Sequence, residues 1–467
     1  MREDNGHRAR VIIFYLSVIF ALIIGTLSLI EKYHSNGSSF QELNSSNNNN
    51  KDITHEDGHK EVFVWSSDSQ DWALVAGDDS LRHNHEHLLA SSSRRQDARD
   101  CIWPEDRAKE QCPGGGDRII NQLKLDRHHQ DKIFKISVAN DYSLPLGQEL
   151  FIGDQCPVNK CLITHDLNEA DAIVFPNSDV HLEPERARRS EQIWIAHFLE
   201  SPPNTFDQRL TRKYRGQHQF NWTAGYRSDS DIVTPYAKFV PYLVSQGEKK
   251  SLRNKQHQIG HNHYDADSLV VSDKHRSLIE QKQTRVAWFA SNCHAKNNRL
   301  ELAKELARHI PVDIYGKCGN LTCNKWTQTE CMTLINRDYK FYLAFENSNT
   351  REYITEKLYG NALGYNDQDH LLIPIVMGAR REDYERLAPP GSFIHVDDFG
   401  GSMKELASNL KRIGSNNSLY YSYFKWKTMG KFIETKFMCR LCAMLHESHK
   451  SKRIKIISNL REWYLNE

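Results

Sequence analysis

Apolar runs of strand length alternate with polar, helix-spaced stretches over most of this 467-residue chain. Residues 133–138 (IFKISV), 172–175 (AIVF) and 192–198 (QIWIAHF) read as strands, with an acidic, helix-like stretch at 166–171 before the second. Further on, 285–290 (RVAWFA), 312–316 (VDIYG), 339–345 (YKFYLAF), 371–377 (LLIPIVM) and 392–399 (SFIHVDDF) form a second set of strand-length runs. Residues 299–306 and 403–413 have the spacing of amphipathic helices. From 338 to 378 the order is strand, polar loop, helix start and strand. That is a βαβ unit, and it sets the polar tip Glu346-Asn347-Ser348-Asn349 at the carboxyl edge of a sheet, where open α/β sheets bind ligands. The pattern predicts two α/β domains, 101–245 and 284–445, with a C-terminal extension at 446–467. Between them, 246–283 is rich in Lys, His and Gln and reads as a linker or insert.

Upstream, residues 11–30 are twenty uncharged, mostly apolar positions. As a helix they span roughly 30 Å, the thickness of a bilayer core. Arg2, Arg8 and Arg10 precede them, which favours a cytoplasmic amino terminus for residues 1–10 and an uncleaved signal anchor at 11–30. A cleaved signal peptide would carry a shorter apolar region and a small-residue cleavage site. Residues 31–100 turn to Asn, Ser, His, Asp and Glu, too polar to offset the entropy of folding, and read as a flexible stem with one apolar island at 62–72. His83, His85 and His87 fit a solvated stem better than a metal site.

A net charge of +1 gives no reason to expect nucleic acid or a strongly acidic partner. Ten cysteines suit an oxidising lumen better than the cytosol. Cys439-Arg440-Leu441-Cys442 has three readings: a redox pair, half of a zinc site, or two structural disulfide partners. No second CxxC completes a zinc site, and a redox pair belongs early in a small fold, so disulfides are favoured. Sequons at Asn36, Asn44, Asn221, Asn320 and Asn416 agree with a lumenal chain. Within the βαβ unit, Lys357 near the helix start supplies a cation for a diphosphate, and Glu356 an acceptor for a ribose diol. Asp229-Ser230-Asp231 has the form of a divalent-ion triplet but lies in the first domain, and reads as structural or as positioning sugar.

FENSN followed by EYITEKL resembles the donor-binding signature of the α1,3-fucosyltransferases. RVAWFASNC, VDIYG, PPGSFIHVDDF, YYSYFKWK, ESP at 200–202 and YRSDSDIVTPY at 226–236 are similar to further family segments, so the likeness covers most of 170–445. It implies two Rossmann-like domains facing a cleft (GT-B type) in a Golgi type II membrane enzyme that takes GDP-fucose as donor. It also implies Glu200 as the base for the acceptor hydroxyl and Lys357 with Arg299 as cations on the diphosphate. Glu356, Asn347, Tyr353, Ser291 and Asn292 would grip ribose, base and fucose. No metal is obligatory, with manganese a stimulant at most. Cys439 and Cys442 would pair back to Cys101 and Cys112. The segments SNCHAKNNRLELAKEL and FMCRLCAMLHE look more like enzymes acting on the asparagine-linked GlcNAc of N-glycans than like those acting on LacNAc antennae. A catalytically silent, membrane-anchored glycan-binding protein is the reading of a different class. Glu352 in place of the usual Asp, Thr350, and a longer loop at 364–370 are departures bordering the donor loop.

Overall fold

The computed structural model describes residues 101–108, 117–125, 132–177, 188–205, 220–242, 273–323, 328–365, 370–452 and 455–466, plus three strands upstream. Those strands, β1 (Ile53–Thr54), β2 (Lys60–Ser66) and β3 (Asp71–Val75), pair antiparallel in that order, so part of the expected flexible stem is a hairpin. The expected anchor at 11–30 lies outside the described residues. Among the described residues no helix is long and apolar enough to cross a membrane.

Two parallel sheets carry the rest. The first is built from β4 (Phe134–Val138), β5 (Cys161–Ile163), β6 (Ala172–Pro176), β7 (Ile193–Phe198), β8 (Trp222–Gly225) and β9 (Ile232–Val233), in the order β5-β4-β6-β7-β8-β9. Side chains alternate between its faces: Ala172 and Val174 enter one apolar layer, Ile173 and Phe175 the other. β10 (Lys238–Pro241) then leads towards the second sheet, which contains β11 (Gln283–Phe289), β12 (Val312–Tyr315), β13 (Tyr339–Phe345), β14 (Ile373–Met377) and β15 (Ile394–His395) in the order β12-β11-β13-β14-β15. Its central strand β13 is buried at every position, as a parallel strand covered on both faces must be. Trp288, Phe341 and Phe345 pack on one side with Leu306 and Leu410. Tyr342, Ala344 and Val376 pack on the other with Leu358 and Tyr359. β16 (Gly430–Ile433) pairs antiparallel with β10.

The helix Met403–Gly414 follows its pattern: Ser402 caps it by accepting from the Glu405 amide at 3.3 Å, and Met403, Leu406, Leu410 and Ile413 are buried. Several expectations are corrected. The acidic stretch at 166–171 is a turn rather than a helix, held by the Asn168 amide donating to Asp166 Oδ1 at 2.7 Å. The run at 392–399 gives two strand residues and then a short 3-10 helix, Val396–Phe399. The expected linker 246–283 ends in a helix, Asp273–Gln281, whose Ile279 is buried in the core beside Val286; residues 243–272 lie outside the described ones.

The largest departure is at the C-terminus. Helix Phe437–Ser451, which straddles the expected boundary of the second domain, packs Leu441, Met444 and Leu445 against the first sheet. It is bridged there by Cys156–Cys439 and Cys161–Cys442, with Cα separations of 5.1 and 6.0 Å, and not to Cys101 and Cys112. Spaced i,i+3, the two cysteines share one helix face, so whatever that face covers supplies both partners. Cys101 is disulfide-bonded, and Cys112 lies outside the described residues. His446 is close to Cys161 and Cys442, but those sulfurs are spent on each other, leaving no metal-ligand set.

Candidate functional site

The carboxyl ends of β11 and β13 meet at one corner of the second sheet. After β11 comes the exposed Ser291-Asn292 turn, pinned by the Cys293–Cys318 bridge. Arg299 opens the next helix and is 4% exposed; its Nη1 donates to the Phe345 carbonyl at 2.7 Å and Nη2 to the Asn292 carbonyl at 3.1 Å. The guanidinium lies over Trp288 at 5.5 Å, and burial lowers its pKa from the usual arginine value. Asn297 Nδ2 reaches the Glu346 carbonyl at 2.9 Å and Asn349 Oδ1 at 3.0 Å. Three polar atoms at this corner are buried without a hydrogen bond: Arg299 Nε, Asn347 Oδ1 and Asn297 Oδ1. Buried polar atoms are normally paired, so these three are groups that a polar guest could meet.

Glu346, which follows β13, is completely buried and organises the loop behind it. Its Oε1 accepts from the Thr355 amide at 2.8 Å and its Oε2 from Lys357 Nζ at 2.9 Å. At Gly378, with φ +135°, a Cβ would lie 2.6 Å from Glu346 Cβ, so only glycine lets this carboxylate sit here. Lys357 also touches Glu356 Oε1 at 3.0 Å and Thr355 Oγ1 at 2.8 Å. Burial alone would lower the Lys357 ammonium, but Glu346 and Glu356 outweigh it and raise it above the usual lysine value. The helix expected at 358–363 is a single wide turn, the π-helix Lys357–Ala362, of a kind often found at functional sites.

Between Glu346 and Lys357 the loop crosses to the first sheet. Arg351 pairs with Asp229 Oδ2 at 3.0 Å, and Ser228 Oγ donates to Glu352 Oε1 at 2.6 Å. Glu352 also pairs with Arg386 and takes a left-handed φ of 60°, a small strain that its contacts hold in place. Tyr353 is buried among first-sheet residues, 5.2 Å from the Tyr226 ring, and its hydroxyl donates to Glu200 Oε1 at 2.7 Å. Glu200 follows β7 at the carboxyl edge of the first sheet. Its amide is held by Asn177 Oδ1 at 3.2 Å, and Oε1 also accepts from the Ser201 amide at 2.8 Å and Asn204 Nδ2 at 3.1 Å. Among the described residues no donor reaches Oε2. Tyr236, bonded to the Leu199 carbonyl at 2.7 Å, is raised well above the usual phenol value by burial first, then by the charges of Glu356, Glu200 and Glu346. One partly buried phenol therefore feels the carboxylates of both sheets.

Similarity to known proteins follows the same segments. A model described as fucosyltransferase, N-terminal, matches 131–237, and one described as glycosyltransferase family 10 (fucosyltransferase) C-term matches 279–463. Alpha-(1,3)-fucosyltransferase C of Drosophila melanogaster is 32% identical over 68% of this chain and 72% of its own, and alpha-(1,3)-fucosyltransferase 7 of Bos taurus 32% over 67% and 81%. The chain belongs to the glycosyltransferase family 10 fucosyltransferases. Glycoprotein 3-alpha-L-fucosyltransferase A of Drosophila melanogaster is 38% identical over 74% of this chain, which spans 65% of that protein's length. A solved α1,3-fucosyltransferase with GDP superposes with a TM-score of 0.42 at 17% identity, over 72% of this chain and 95% of that one. At that level the fold stands on the sheet topology alone.

In this fucosyltransferase, Ser291, Asn292, Arg299, Asn347, Glu356 and Lys357 cluster around the ends of β11 and β13. Tyr353, expected in the donor grip, is buried in the first-sheet layer with its hydroxyl on Glu200. Neither carboxylate of Asp229-Ser230-Asp231 is open. Asp229 pairs with Arg227 and Arg351, and Asp231 accepts from the Thr223 amide at 2.8 Å and from Lys455 at 2.8 Å. Of the sequons, Asn221 is buried, its amide group bonded to the Trp194 amide and the Lys455 carbonyl, whereas Asn320 and Asn416 are exposed; Asn36 and Asn44 lie outside the described residues. Sequence reasoning assigns no role to Glu346, Asn297, Arg351 or Tyr236. Glu346 is visible inside FENSN, but only folding shows that its partner is Lys357.

Proposed function

We propose that this fucosyltransferase moves L-fucose from GDP-β-L-fucose in α1,3 linkage, with inversion, to the asparagine-linked GlcNAc of N-glycans. The two sheets' carboxyl edges would face a shared cleft, with donor at the β11/β13 corner and acceptor beside Glu200. The observation that carries this reading is the 2.7 Å bond from Tyr353 to Glu200 Oε1, which brings the donor loop to the base. With Oε1 clamped by four donors, Oε2 is the oxygen left to take a proton.

In the step itself, the acceptor hydroxyl oxygen attacks the anomeric carbon from the face opposite GDP. Its proton passes to Glu200, the bond from that carbon to the β-phosphate oxygen breaks, and the electron pair leaves on GDP. A diphosphate is a good leaving group, so no acid is needed. Lys357 and Arg299 would neutralise the growing charge. Lys357 is already shared between two carboxylates, of which Glu346 is buried and Glu356 about half exposed. Glu356 is therefore the partner free to swing to the ribose diol, releasing Lys357 to the phosphate. No metal is assigned to the step; manganese is at most a stimulant. An uncleaved anchor at 11–30 in the Golgi membrane, with the catalytic part lumenal, completes the proposal, supported by the apolar run and the disulfides.

Incubating the full chain with GDP-fucose and either a trimmed N-glycopeptide or a LacNAc sugar tests the acceptor. Fucose on the glycopeptide core supports the proposal. Transfer to LacNAc alone replaces it with the antenna reading, and transfer to neither points to a glycan-binding protein.

A further inference from the structure

The end of the chain returns to the base. Helix Leu460–Leu465 lies on the first sheet with Leu460 and Tyr464 buried. The Tyr464 ring stacks on Phe198, the last residue of β7, at 4.1 Å and 17°, and its hydroxyl donates to the backbone carbonyl of Glu200. Arg227, 4% exposed, donates Nη1 to the carbonyls of Trp463 at 3.1 Å and Tyr464 at 2.9 Å and lies 4.7 Å from the Trp463 ring. The same guanidinium holds Asp229 through two bonds, Nε to Oδ1 at 2.9 Å and Nη2 to Oδ2 at 2.6 Å, and Asp229 in turn takes Arg351. Two threads therefore leave this helix. One runs from Tyr464 through Glu200 to Tyr353, the other from Arg227 through Asp229 to Arg351. Both end in the donor loop, two residues apart.

We infer that the C-terminal helix is a brace for the base, with Tyr464 a positioning residue that fixes Glu200 through its carbonyl. This rests on reading Glu200 as the base. Glu200 sits on a loop rather than in a strand, and an acceptor hydroxyl must meet its free oxygen in hydrogen-bond geometry. A shift of about 1 Å in such a group can lower the rate about a hundredfold. The helix is held there by two carbonyls on Arg227, a ring stack and a phenol bond. The Asp-Ser-Asp triplet thereby acquires a role that needs no ion, since Asp229 joins the C-terminal helix to the donor loop.

The test compares the full chain with Tyr464→Phe, which keeps the ring stack and removes only the hydroxyl, and with Glu200→Gln. Steady-state kinetics for both substrates, GDP affinity and Tm are measured for each. For Tyr464→Phe the expected result is kcat lower by about tenfold, the worth of one hydrogen bond in this position, with KM for GDP-fucose and GDP affinity within about twofold of wild type. A wild-type kcat overturns the inference, as does an equal fall in kcat, GDP affinity and Tm, which marks a general structural role. Should Tyr464→Phe fail to fold, Arg227→Lys keeps the charge but loses the paired carbonyl contacts, and must give the same kcat-selective loss. A normal rate for Glu200→Gln would sink the base reading itself, a result distinct from failure of the brace.

Discussion

Lys357→Ala is the substitution whose consequences differ most from those of removing a simple phosphate-binding cation. Glu346 has no exposed side-chain area and Lys357 only 17%, so the variant leaves a buried carboxylate without its counter-charge. Breaking a buried pair from one side costs about 3–5 kcal/mol, or roughly 6–10 °C in Tm at about 2 °C per kcal/mol for a protein of this size. The loss should depend on pH. Burial already holds the Glu346 carboxyl above its ordinary value of 4.5, and without Lys357 it rises further. The folded variant then binds a proton that the unfolded chain releases, so its stability falls as pH rises above about 4.5, by up to about 1.4 kcal/mol per unit, until the raised folded value is passed. Thermal shift of wild type, Lys357→Ala and Lys357→Ala with Glu346→Gln, each between pH 5 and 8, reads this directly. Neutralising Glu346 should recover at least half the lost Tm and flatten the pH dependence while leaving GDP affinity low. A wild-type Tm for Lys357→Ala at pH 7.5, or no recovery in the double variant, would refute the buried-pair account.

A non-reducing peptide map should yield Cys156–Cys439 and Cys161–Cys442, and Cys442→Ser should lower stability by about 2–5 kcal/mol; a Cys442 peptide joined to Cys101 would contradict the docking of helix Phe437–Ser451 on the first sheet. When the chain is made in a secretory host, glycopeptide mass spectrometry should find glycan at Asn320 and Asn416 and none at Asn221, whose amide is already bonded. Replacing Asn221 by Gln should lower Tm without changing glycan mass. Burial holds the His197 imidazole at about 4, below its ordinary 6.5. The stability it contributes is complete above pH 6.5 and fades as pH falls towards 4, by about 2–3 kcal/mol at pH 4.5. Urea midpoints of wild type and His197→Gln at pH 7 and 4.5 should diverge accordingly.

The parts legible in the sequence are those that local pattern determines. Mostly apolar runs such as 339–345 and 371–377 form buried parallel strands, and the i,i+3,i+4 spacing at 403–413 forms a helix with a serine cap. The polar loop after β13 is readable as a site because chain order alone puts it at a sheet's carboxyl edge. What stays hidden depends on return journeys of the chain. Nothing local says that Cys439 faces Cys156, because a helix face chooses its partner only after the helix has docked across 283 residues. Tyr353 reads as a donor contact by its neighbours in sequence, and only the loop's crossing shows that its hydroxyl also lies on Glu200. The turn at 166–171 reads as a helix because its acidic residues suit either; Asp166 accepting from a backbone amide two residues on decides for the turn.

The central claim, that Glu200 takes the acceptor's proton while the opposite sheet grips GDP, is tested most directly by Glu200→Gln. Single-turnover fucose transfer and GDP affinity would be measured on one preparation. The account predicts a transfer rate lower by about 10²–10⁴-fold with GDP affinity within about twofold of wild type. A transfer rate equal to wild type would contradict it.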